Sequence, residues 1–112
     1  METPFTLYMN LYNSTLNKYG TVKNKFASIN NNGFDKEMFE TLLDDLFSSL
    51  YDLTMIRQAL SKTDIDFTED ELIQLHKYHE LRVAINQLGV DYNRHQNASE
   101  TSIENVEENL SL

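Results

Sequence analysis

The chain has 112 residues, 40% of them hydrophobic, with 18 Asp and Glu against 9 Lys and Arg, a net charge of −9 and no cysteine. That length fits one domain with a core of its own, and the apolar share is too high for a wholly disordered chain. The lack of Cys excludes disulfides, thiol catalysis and thiolate metal sites, and the charge argues against direct partnership with nucleic acid or an anionic membrane, both of which call for Lys and Arg.

Thr3 and Pro4 read as a helix start, with Thr as N-cap and Pro at the first helical position. Apolar residues then recur at Phe5, Met9, Tyr12, Leu16, Tyr19, Val22, Phe26 and Ile29. Steps of three and four over that distance predict one long amphipathic helix. Gly20 interrupts it at a cost of about 1 kcal/mol against Ala, but the stripe keeps its phase across the glycine.

Asn30-Asn31-Asn32-Gly33 reads as a turn, since Asn and Gly tolerate left-handed backbone. Asp35 follows as the cap of a second helix. Its apolar side is Phe39, Leu42, Leu43, Leu46, Leu50, Leu53 and Leu60, widened by Phe47 and Ile56. Glu37, Glu40, Asp44, Asp45 and Asp52 fall on the other side. Two helices of matched length, each roughly 40 Å, joined by a short turn predict an antiparallel hairpin.

Ser61 to Asp66 is a polar connection, and Thr68 with Glu71 forms a capping box for a third helix. This helix is expected to run to about Leu88, with Gly89 as its C-terminal cap. It carries apolar residues on two sides. Leu72, Leu75, His76, His79 and Val83 share one; Tyr78, Leu81, Ile85 and Leu88 lie nearly opposite. One core cannot bury both, so Tyr78, Leu81, Ile85 and Leu88 are assigned to a contact with a second copy or a partner.

From Asn93 the chain is polar, and residues 96–112 hold four acids and no base. The expected organisation is a helical domain over 1–92 and a flexible acidic tail over 93–112. Within the tail, Ile103, Val106 and Leu110 are spaced to form a short amphipathic helix at 101–110 on a partner. The expected fold class is thus all-α: an antiparallel three-helix bundle, built as a long helical hairpin plus a third helix, with that tail.

Other constellations fall short of chemistry. His76 and His79, three apart on a helix, share a face, but a zinc site needs further ligands. Asp64, Asp66, Glu69, Asp70 and Glu71 are crowded, yet lack the Gly and Glu that a calcium loop needs at its sixth and twelfth positions. The carboxylates lie on outward helix faces rather than in a pocket, and no phosphate-cradling Gly loop occurs. The expectation is therefore a non-enzymatic protein with no cofactor and no metal.

Two functions fit this description. The first is a protein-interaction protein of the phage- or plasmid-type inhibitor class, a DNA mimic. Its acidic face, Glu37, Glu40, Asp44, Asp45 and Asp52, docks on the basic, nucleic-acid-binding surface of a host protein. The second is a structural or assembly factor of the scaffold or chaperone type, acting through helical self-association. A homodimer is expected in either case. No basic-then-apolar segment opens the chain and no apolar run is long enough for a membrane span; a cytoplasmic protein is expected, in the host cytoplasm if phage-encoded.

Overall fold

The computed structural model of the chain describes the backbone of residues 3–111 and the side chains of residues 3–98. It holds three helices, α1 (Pro4–Phe26), α2 (Lys36–Ser61) and α3 (Glu69–Ser111), and no strand among the described residues.

Each helix begins on a side chain that accepts an otherwise orphaned backbone N–H. Thr3 Oγ1 accepts from Thr6 at 3.1 Å, and Asp35 Oδ1 accepts from Met38 at 3.0 Å. At α3 the capping box is reciprocal: Thr68 Oγ1 accepts from the Glu71 N–H at 3.1 Å, while Glu71 Oε1 accepts from the Thr68 N–H at 2.9 Å. Helix α1 passes through Gly20 without interruption. Gly33, at φ +88°, supplies the left-handed residue of the α1–α2 turn.

Cross-helix contacts fix the topology. Lys18 meets Asp45, Thr15 meets Ser49 and Phe26 meets Phe39, so α1 and α2 are antiparallel. Leu75 meets Arg57, Tyr78 meets Thr54 and Tyr92 meets Phe39 and Glu40, so α3 runs antiparallel to α2. Phe67 packs on Phe5 at one end and His95 reaches Asn30 in the turn at the other. At His95, α3 has drawn level with the hairpin's turn, and its helix continues to Ser111.

The core contains Tyr8, Tyr12 and Val22 from α1, Phe39, Leu43, Leu46, Leu50, Leu53 and Leu60 from α2, and Tyr78, Leu81, Ile85, Leu88 and Tyr92 from α3. Tyr78, Leu81, Ile85 and Leu88 are thus interior residues, and their assignment to a partner contact is corrected. They continue in three-and-four steps to Tyr92, which extends the stripe to the turn end of the hairpin, and α3 turns that longer stripe inward. The apolar residues it leaves out are Leu72, Ile73, Val83 and Val90, 43–66% exposed.

Two further expectations change. On α1, Thr15 is fully buried and Leu16 is 42% exposed, the reverse of the expected stripe. Gly89 does not end α3. It is a buried mid-helix residue with negative φ, and a Cβ there would lie 2.9 Å from the Phe47 ring. Its small size lets α2 and α3 approach. The expected end at Leu88 is therefore passed, and residues 93–98 continue the helix.

Candidate functional site

Every carboxylate of the expected acidic face is exposed on α2. Two of the five are engaged within the chain. Asp45 pairs with Lys18 Nζ at 3.2 Å. Glu40 Oε1 accepts from the Tyr92 hydroxyl at 2.7 Å and lies 3.9 Å from Lys36 Nζ. Burial and the Glu40 carboxylate push the Tyr92 phenol up to about 12. Glu37, Asp44 and Asp52 have no ion pair among the described residues.

The outward side of α3 is the second surface. His79, Arg82, Val83, Asn86, Gln87 and Val90 form a shallow depression along it. Leu72, Ile73, His76, Lys77 and Glu80 line another, nearer the N-terminus of the helix. The expected tail motif, Ile103, Val106 and Leu110, lies outside the residues whose side chains are described.

Between α2 and α3 runs a groove of about 530 Å³, lined on α2 by Phe47, Leu50, Tyr51, Thr54, Arg57 and Gln58 and on α3 by Tyr78, His79, Arg82 and Asn86. No carboxylate lines it. Arg57 is held in place on three sides: its Nε donates to the Leu75 carbonyl at 3.2 Å, its Nη2 lies 3.1 Å from His79 Nε2, and its guanidinium stacks 4.9 Å from the Tyr78 ring centroid. Thr54 Oγ1 donates to the Leu50 carbonyl at 2.8 Å, so the Tyr78 hydroxyl, 2.6 Å away, is the donor to Thr54. The imidazole faces a guanidinium, which only donates, so Nε2 is the acceptor and the ring is neutral in that contact. Loss of hydration, then Arg57, His76 and Arg82, hold the His79 pKa below its ordinary value. Sequence reasoning missed this groove. Its one sequence signal is that residues 72–95 are nearly balanced in charge within an acidic chain.

The rings of His76 and His79 lie 5.4 Å apart. Among the described residues no group of three or more His, Asp or Glu side chains could hold a metal ion, and no helix is long and apolar enough to cross a membrane. The acids from Asp64 to Asp70 stand exposed, and Glu71 is committed to the cap. Comparison with protein families, with curated proteins and with solved structures found no match to this chain.

Proposed function

We propose that this is a non-enzymatic helical interaction protein whose contact surface is the outward side of α3. The observation that carries the reading is the exposure of Leu72, Ile73, Val83 and Val90, at 53%, 51%, 66% and 43%, on a helix whose opposite side already supplies the core. Single exposed apolar residues are ordinary. Four on one helix, with Leu72, Val83 and Val90 within about 20° of one another at 100° per residue, mark a side that a second helix can cover.

The expected occupant is a helix of a second copy. The protein then belongs with assembly factors that act through self-association. Val83→Asn with Val90→Asn tests this. The doubly substituted chain should keep its far-ultraviolet spectrum while its association, measured by sedimentation velocity, weakens at least about tenfold. Unchanged association would overturn the reading.

A second reading has its own support in the unpaired Glu37, Asp44 and Asp52. In it, α2 imitates a row of phosphates and docks on a basic, nucleic-acid-binding host protein, as a phage- or plasmid-type inhibitor does. Such binding should weaken steeply with salt. Reversing those three charges should abolish capture of the host protein; capture that survives the reversal excludes this reading.

A further inference from the structure

The α2–α3 groove has the charge opposite to that of the protein as a whole. Arg57, His79 and Arg82 line it, and neither guanidinium has a carboxylate within 4.0 Å among the described residues. Guanidiniums match carboxylates in geometry and are weakly hydrated, so they favour acidic partners. Phe47 and Tyr51 add apolar wall beside them, with Tyr51 65% exposed. From Phe47 to Gln58 the groove follows α2 for about 16 Å, at 1.5 Å per residue. That is the length of three helical turns, longer than a compact ion needs.

The chain itself contains a segment of complementary chemistry. Glu100, Glu104, Glu107 and Glu108 are spaced to share one helix face, and no Lys or Arg follows Arg94. Ile103, Val106 and Leu110 fall on an adjoining face. This arm cannot reach the groove of its own molecule. One wall of the groove is α3 at Tyr78 to Asn86, and the arm is the forward continuation of the same helix past His95.

We propose that the C-terminal arm of one copy docks in the α2–α3 groove of a second copy, its glutamates meeting Arg57 and Arg82 and its apolar face meeting Phe47 and Tyr51. The contact joins two different surfaces and is heterologous, so it can close into a ring or propagate. It rests on the reading of the protein as one that acts through helical association, but it uses residues distinct from the Val83–Val90 stripe.

The test is sedimentation velocity on the full chain from micromolar to millimolar concentration, at low and high salt. Association should rise with concentration and weaken with salt. Arg82→Glu should weaken it at least about tenfold, about 1.4 kcal/mol. Replacing Glu100, Glu104, Glu107 and Glu108 together by Lys should do the same. A chain carrying the four Lys changes together with Arg57→Glu and Arg82→Glu should recover association, because the reversed arm then meets a groove in which both cations are reversed. Where Arg82→Glu loses helical signal, Arg82→Gln replaces it in the single-variant comparison. A monomer at every concentration, association indifferent to both reversals, or no recovery in the combined chain would overturn the proposal. Loss on Val83→Asn and Val90→Asn with indifference to both reversals would leave the α3 stripe standing and remove the arm from the groove.

Discussion

The hydroxyls of Thr15 and Ser49 lie 2.6 Å apart, inside the interface of α1 and α2. Thr15 is fully buried and Ser49 is 5% exposed. Thr15 Oγ1 already donates to the Leu11 carbonyl at 2.8 Å, so the proton between the two hydroxyls comes from Ser49. The two partners are therefore unequal. Ser49→Ala leaves Thr15 bonded to Leu11 and should cost about 1 kcal/mol. Thr15→Val removes the acceptor and strands a buried donor, and should cost about 1–3 kcal/mol. The double substitution should cost less than the sum of the singles by at least about 0.5 kcal/mol. Urea denaturation of the three variants measures the cycle; strict additivity would show that the hydroxyls do not interact.

The two sides of α3 should respond differently to truncation. Ile85 is fully buried, and Ile85→Ala should cost about 2–5 kcal/mol through lost burial and the cavity left behind. Val83 is 66% exposed, and Val83→Ala should move stability by no more than about 0.5 kcal/mol in the monomer. Thermal denaturation at low concentration checks both. Equal losses would contradict the placement of the Tyr78–Leu88 side in the core.

Glycine-to-alanine changes should have opposite signs at two positions. Nothing lies within 4 Å of a Cβ at Gly20, so Gly20→Ala should stabilise by up to about 1 kcal/mol. At Gly89 the new methyl would meet the Phe47 ring at 2.9 and 3.2 Å. Overpacking costs about 1–3 kcal/mol, more than the helical preference of Ala returns, so Gly89→Ala should destabilise. Melting temperatures of the two variants, one above and one below the parent, are the expected result.

Two buried phenols predict the alkaline limit. Burial is the largest cause at both Tyr8 and Tyr92, and each is pushed up to about 12 from an ordinary 10. Between those values the folded chain keeps protons that the unfolded chain has released. Stability is therefore fully present below pH 10 and falls as pH rises from 10 towards 12. Tyrosinate absorbance at these two sites should appear together with loss of helix. Tyr8→Phe should soften the fall. It should also raise stability at neutral pH by about 1 kcal/mol, because the buried Tyr8 hydroxyl has no hydrogen-bond partner among the described residues.

What was legible in the sequence was what short-range chemistry decides. The three caps at Thr3, Asp35 and Thr68, the turn at Gly33 and the passage of α1 through Gly20 all depend on residues within a few positions of one another. The inward side of α3 was not legible. Periodicity marked two apolar sides, and the choice between them depends on the register with α2, through pairs such as Tyr78–Thr54 and Tyr92–Phe39. The exchange of Thr15 for Leu16 in the core needed Ser49 on another helix. Gly89 looked like a cap because the constraint on it, the Phe47 ring, lies 42 positions away. The groove was hidden for the same reason, since Arg57 and Arg82 converge only when α2 and α3 are packed.

Helix α3 begins beside the first turn of α1 and draws level with the hairpin's turn at His95. From Phe67 to His95 that is about 40 Å at 1.5 Å per residue. The two ends of the chain therefore leave the molecule at opposite poles, unlike the adjacent termini common in small domains. Helix α3 runs on to Ser111, about 66 Å from Phe67, so joining the ends in a circular permutant would need a connector of at least about 19 extended residues. A group fused before α1 and one fused after α3 would therefore be held at opposite ends of the bundle, a separation that fluorescence transfer between the two would measure.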